Sequence, residues 1–456
     1  MKIKTNLLLA TLAILSSGSL LAVDIFDFGS APDEWTAAPK NTALGQKALS
    51  YFDEGPVPLD QGRIIFNERF RYEHASQSAS TAPGRPASTA FTLRTRIGYE
   101  TPKFHGFYGL GEFENTWALN LSNYQSLPGP GKAVIADPRN NQLNQLFIGY
   151  SGFNSDLKGG RQIINLDNQR FVGAVAWRQN DQTFDAVRVS TEVIKDAWFS
   201  YVYNWQVNRI FGVYTNTTAQ ERFQSQSHFV NFHYDNVPFG QIGSYFYYLD
   251  LGATNRIATG SGASGSTAGL FYKGNYEIND DWSIPFRAEY AFQVDNNATA
   301  PSQGSFWLNY YHAKLGVTHK NQTFGLGFEN LGGNGLSGAA GRGFSTPLAT
   351  LHKFNGWADA FLATPTTGLR DYYFYHKNAL PYGFTFIGAI HYFTDAKEGE
   401  TFGKEWDVGL SKKFTENFSG LVKFAYFDGN GSSTPVNNGA INNNFTKLWV
   451  QFDFKL

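Results

Sequence analysis

In its clearest segments this chain switches between apolar and polar side chains at every residue. Over Trp282–Val294, Trp282, Ile284, Phe286, Ala288, Tyr290, Phe292 and Val294 share one parity, and Ser283, Arg287, Glu289 and Gln293 share the other. Period two sends the two sets to opposite faces of an extended strand, whereas a helix would mix them. The final segment repeats the pattern, with Leu448, Val450, Phe452, Phe454 and Leu456 against Gln451, Asp453 and Lys455. Near the start, Ile64, Phe66, Phe70 and Tyr72 oppose Asn67, Arg69, Arg71 and Glu73.

Such runs mark eighteen strands, at 63–74, 89–101, 105–117, 144–151, 156–163, 183–191, 197–206, 227–235, 242–251, 268–277, 282–294, 305–318, 323–332, 369–377, 382–393, 404–414, 417–427 and 445–456. Several have the ~9–11 residues that a tilted strand needs to cross hydrocarbon. Connections after odd strands are long, as at 118–143, 164–182 and 333–368; those after even strands are short, as at 152–155, 278–281 and 415–416. Sorting loop lengths by side is the habit of outer-membrane barrels, and a soluble sandwich has no reason for it. The fold class expected is all-β, an 18-stranded antiparallel transmembrane β-barrel with long extracellular loops and short periplasmic turns.

Composition agrees. Charged residues are 16% of the 456 and aromatic residues another 16%, with no cysteine, against roughly 25% charged in an average soluble domain. The absent cysteine excludes a disulfide scaffold, thiolate metal sites and a cysteine nucleophile. A net charge of −1 lacks the basic excess that nucleic acid needs. Residues 1–22 place Lys2 and Lys4 before the apolar run Leu7–Leu15 and end on Ala22, the layout of a secretory signal peptide. Beyond it no apolar run approaches ~18 residues, so a membrane would be crossed only by closed strands. Residues 23–62 read as a periplasmic lead-in, and 63–456 as the barrel.

An Arg on the lipid face near the midplane costs ~2–4 kcal/mol, so charge within a strand reports the lumen. Arg69 and Arg71 on the first strand and Arg94 and Arg96 on the second fall on polar faces of neighbouring strands. Glu73 and Glu112 lie nearby, and Arg287 shares a face with Glu289. Four guanidiniums in one patch suit repeated carboxylates. Two readings stand together: an electropositive constriction for an anion, and a self-neutralising ladder of Arg and Glu that braces the wall.

Two long segments add charge. Residues 161–188 place Arg161, Arg170, Arg178 and Arg188 among Asp167, Asp181 and Asp185, with an apolar stretch Phe171–Trp177 that suggests folding back into the barrel. Residues 351–371 mix Phe354, Trp357 and Phe361 with Lys353, Asp359, Arg370 and Asp371. Extracellular decoration is the alternative for both.

The RFRYE run of the first strand, the GRQ…DNQRFVG…WRQN…TFDAVR stretch and the LHKFNGWADAFL…TP…GLRD stretch together resemble the alginate-export porin family. The likeness spans about 63–456. It implies a monomeric barrel in the outer membrane of a Gram-negative bacterium, with an arginine-rich constriction that passes a polyuronate. On that pattern Arg69, Arg71, Arg94, Arg96, Arg161, Arg170, Arg178, Arg188 and Arg370 are candidate lumen cations, with Asp185, Asp359 and Asp371 as counter-charges. One departure stands out. The family's alginate exporter carries an extended late periplasmic turn as a plug, and here the turn at 415–416 is short. That argues against periplasmic gating, and leaves the loop at 118–143 as a candidate outer lid.

Catalytic signatures are missing. There is no G-x-S-x-G and no H-E-x-x-H, and two G-x-G-x-x-G matches, from Gly260 and Gly333, fall in outer loops with no following helix. His228 and His233 have opposite parity and cannot share a face as ligands. The chain is expected to be a channel without enzymatic activity, cofactor or metal. Its expected partners are outer-membrane lipid and lipopolysaccharide, the barrel-assembly machinery, and an anionic solute or polysaccharide. A general porin for small polar nutrients and a closed adhesive or structural barrel are the competing readings.

Overall fold

The structure, a computed structural model, describes residues 62–79, 85–129, 131–215, 218–252, 264–294, 307–336, 341–397, 399–430 and 443–456. The expected signal peptide and nearly all of the lead-in lie outside these residues. Eighteen strands follow in order: β1 Arg63–Ala79, β2 Arg85–Glu100, β3 Phe107–Ala118, β4 Asn140–Gly152, β5 Ser155–Gln162, β6 Thr183–Thr191, β7 Ala197–Asn208, β8 Arg222–Val237 and β9 Gly240–Leu249. The second half continues with β10 Gly265–Asn279, β11 Trp282–Val294, β12 Trp307–His319, β13 Gln322–Leu331, β14 Leu369–Leu380, β15 Phe384–Thr394, β16 Thr401–Lys413, β17 Phe418–Gly429 and β18 Asn443–Lys455. Each pairs antiparallel with its neighbours in sequence, and β1 closes on β18 from Asn67↔Lys455 to Ala79↔Asn443. All eighteen expected strands are present.

Loop lengths are sorted by side, with two exceptions. Only residues 80–84 separate β1 from β2, because their ladder extends to Gln77↔Arg85, well beyond the periodic core of either strand. Only 395–400 separate β15 from β16.

Parity now has a physical meaning. Outward residues are large and apolar, among them Ile148 at 71% exposed, Leu326 at 66% and Leu315 at 58%. In water such a belt would be unstable; in lipid it is the solvent-matched surface. Aromatic pairs mark both rims. Trp282 stacks on His319 at 4.2 Å at the short-turn end, and Phe292 stacks on Trp307 at 4.4 Å at the long-loop end. Inward residues mix charged and polar side chains with tyrosines and, where loops pack on the wall, apolar ones such as Phe184, Phe229 and Phe271. Tyr373 crosses to β13 and lies where a side chain at Gly327 would sit, 1.9 Å from an ideal Cβ.

Leu326→Arg places a charge in the outer belt. It is expected to cost about 2–4 kcal/mol, measured by urea-dependent folding into liposomes. An unchanged midpoint would mean that this face does not meet lipid.

Candidate functional site

The lumen is not empty. Residues 163–182, between β5 and β6, and 332–368, between β13 and β14, fold inward and build an apolar core with the inner wall. Phe171 packs on Tyr245, Tyr247, Tyr310 and Phe344 at ring distances of 5.2–6.0 Å. Val172 and Leu348 bridge the two loops. The apolar Phe171–Trp177 stretch therefore finds its burial inside the barrel.

Polar side chains fix the loop 163–182 on opposite sides of the wall. Asp167 accepts from His233 at 2.6 Å and Asn231 at 2.8 Å on β8. Arg170 meets Glu329 of β13 at 2.9 Å and Asn355 of the other loop at 3.0 Å. Arg178 bridges Glu73 of β1 at 3.1 Å and Asp359 at 3.2 Å. Asp181 meets Arg96 of β2 at 2.7 Å. The loop is a crossbar.

The arginine patch holds one end of that crossbar. Arg69 pairs with Asp453 at 2.8 Å and donates to the Ala176 carbonyl at 2.9 Å. Arg71 pairs with Asp137 at 3.3 Å, donates to the Trp177 carbonyl, and lies 4.2 Å over the Trp177 ring. Arg96 meets Glu114 at 2.6 Å. Arg69, Arg71, Arg94 and Arg96 are all buried, Arg96 the most exposed of them at 9%. Arg69 and Arg71 face carbonyls of the loop and Arg96 its Asp181, so for these three the bracing interaction is realised in the geometry.

The second loop docks by the reverse chemistry. Its backbone donates Trp357 N–H to Asp407 at 3.1 Å and Ala358 N–H to Glu405 at 2.6 Å, both on β16. Gly356 (φ +82°) leaves room for the Glu405 carboxylate, which an ideal Cβ would meet at 2.4 Å. Lys423 of β17 ties both loops together. Its ammonium lies 3.8 Å from the Trp357 ring, 4.2 Å from the Trp177 ring and 2.7 Å from His352 Nε2. An ammonium only donates, so that His352 nitrogen accepts, and Nδ1–H donates to Asp359 at 2.8 Å. Burial pushes the His352 imidazole well below its usual value, in keeping with this neutral form. Burial would raise Asp359, but His352, Lys447 and Arg178 together hold its carboxyl well below the usual range.

The other expected site residues divide by parity. Arg287 and Glu289 share the inner wall of β11 at 2.7 Å, and Arg188 and Asp371 also point inward. Asp371 accepts from His391 at 2.9 Å. Three expected lumen residues face outward instead. Arg161 belongs to β5 and pairs with Asp185 of β6 at 2.8 Å, while their neighbours Gln162 and Phe184 take the inward positions. Gln206 and Asn208 complete that ring at the long-loop end of β6 and β7. Arg370 shares the parity of the exposed Tyr372 and Phe374 and donates to the Ala396 carbonyl at 2.7 Å. The described residues of the loop 119–139, the candidate lid, rest against the inner wall. Tyr124, Ala133 and Ile135 pack onto the inward-facing Ala75 and Ala90, and Asp137 reaches down to Arg71.

Between the loops and β12–β15 lies a narrow cleft, lined among others by His312, Lys314, Lys353, Phe354 and Tyr373. Sequence reasoning missed this cleft and missed Lys423, Asp137 and Glu405. Asp453 was legible as a polar-face residue of the last strand.

Comparison with known proteins agrees with this architecture. Residues 113–328 match the sequence model of a family described as Alginate export, so the likeness read from the motifs is borne out over that span. No curated protein sequence matches the chain. Among solved structures, OccAB4 of Acinetobacter baumannii superposes with a TM-score of 0.63 at 13% identity, covering 88% of this chain and 99% of that one. OpdK of Pseudomonas aeruginosa, solved with vanillate, gives 0.60 at 12% identity, covering 86% and 99%. OccK2 (OpdF) of Pseudomonas aeruginosa, in complex with glucuronate, gives 0.58 at 13% identity, covering 86% and 98%. The fold is that of the outer-membrane porins.

Arg178→Ala strands Glu73, takes one of three partners from Asp359 and should free the crossbar. Single-channel recording is expected to show a larger, noisier conductance, and trypsin to nick within 163–182. Unchanged current and unchanged resistance would mean that other contacts suffice. The latch should also survive mild acid. A carboxyl with a depressed folded pKa stabilises fully above its unfolded value, about 3.9, and loses that contribution only as pH falls through the folded value. Trypsin resistance of the loop, read at neutral pH after acid exposure and with Asp359→Asn as reference, is expected to be intact from pH 5. Loss at pH 5 would contradict the Asp359 assignment.

Proposed function

We propose that this chain, a barrel of porin fold with an alginate-export match over 113–328, is a passive outer-membrane channel for small anionic solutes, acidic sugars or short polyuronates. The observation that carries the reading is a set of like-charged rungs on the inner wall. Lys158 stands directly opposite Arg188, Lys273 opposite Arg287, and Arg69 opposite Arg94. Like charges across a ladder destabilise a sheet, so a wall that retains three such rungs has another use for them. Rings of cations select anions in pores. Acids on the inner wall are largely committed elsewhere: Glu73, Glu114 and Glu289 each accept from an arginine, Glu329 pairs with Arg170, and Glu405 and Asp407 hold loop backbone.

The ligands found with structural neighbours support the same class, since vanillate and glucuronate each bear one carboxylate. The crossbar favours short solutes over a long polymer, because two loops already occupy the lumen.

Reversal potentials in planar bilayers under a KCl gradient test the reading. An anion preference is expected, and Lys158→Glu with Arg188→Glu should lower it several-fold. A cation preference in the unmodified chain would contradict the proposal.

A further inference from the structure

The inner wall where β18, β1 and β2 meet carries an arginine whose N–H groups the protein does not all satisfy. Register sets two rungs across the three strands, Lys455–Asn67–Arg96 and Asp453–Arg69–Arg94. Arg69 is answered by Asp453 at 2.8 Å, and Arg96 by Glu114 at 2.6 Å and Asp181 at 2.7 Å. Arg94 has no such answer. Its Nη2 donates to Asn67 Oδ1, yet Nε and Nη1 find no acceptor although the residue is 1% exposed. Lys455, beside it, makes no ion pair with any described residue.

A guanidinium with open N–H groups is costly to bury, and the directly opposed Arg69 adds repulsion. Water would satisfy the N–H groups and leave the charge. An anion satisfies both, and the planar fork of arginine favours compact acceptors. The patch sits toward the C-terminal end of β18, on the short-turn side of the wall.

We propose that Arg94, flanked by Lys455, binds a compact monoanion on the periplasmic side of the crossbar. The chemistry is shared by two sources, a resident halide and the carboxylate of a passing solute. As a station for solute the site rests on the channel reading; as a halide site it stands without it.

Chloride-35 NMR of the folded chain in detergent reads the site directly. The unmodified protein should broaden the chloride line in excess of detergent alone. Arg94→Gln should reduce that excess several-fold, Arg94→Lys should restore part of it, and heat-modifiable gel mobility reports that each variant is folded. Adding sodium glucuronate then separates the sources: narrowing to the level of the Arg94→Gln variant assigns the site to solute carboxylate, and no narrowing assigns it to halide. Bromide-soaked crystals of the unmodified chain need no variant, and should show an anomalous peak within hydrogen-bond reach of Arg94 Nε or Nη1. Equal chloride broadening in the unmodified and Arg94→Gln chains, or no bromide at Arg94, overturns the site. An anion preference measured in bilayers on the same preparation would still stand, so the two failures are distinguishable.

Discussion

Hydrocarbon offers no partner to a peptide N–H or C=O, and this constraint shapes everything else in the molecule. A sheet crossing it must have no edge, and the β1–β18 ladder removes the last one. Closure then divides every strand into an oil-facing and an inward set, and forces charge to the inside. The interior is therefore polar by necessity, and wide enough that side chains of the wall alone do not fill it.

The chain fills that space with its own loops. The docking chemistry is complementary at the two ends. Wall arginines of β1 take backbone carbonyls of the loop 163–182, and wall carboxylates of β16 take backbone N–H groups of the loop 332–368. Lys423, held between Trp177 and Trp357, couples the two. Removing one partner of a buried ion pair is far costlier than the net worth of the pair, so these contacts specify where the loops sit more than they add stability. The same arginines that suggest an anion filter are mostly spent as latches, which leaves Arg94 distinct among them.

The fold was legible in the sequence because lipid enforces parity on every strand. Arg69, Arg71, Arg94 and Arg96 were readable as inward for the same reason. The task of Arg69 and Arg71 was not, since they hold the carbonyls of Ala176 and Trp177, and a backbone atom leaves no mark on composition. Lys423 was invisible for the opposite reason: its face of β17 carries Leu421, Ala425 and Phe427, so nothing about it reads as a site. Arg161, Asp185 and Arg370 were misplaced because a motif likeness carries residue types but not the parity of the strand beneath them. Phe171–Trp177 was the informative loop, since an apolar stretch at a wet surface has to be buried somewhere.

The central claim is that a crossbar of the chain's own residues, rather than the bare wall, sets the width of the passage. Replacing residues 164–181 with a short Gly-Ser linker and recording single channels tests it most directly. A several-fold rise in conductance over the unmodified chain is expected, with the barrel still closed by gel mobility. An unchanged conductance would show that the lumen is limited elsewhere, and would contradict the account.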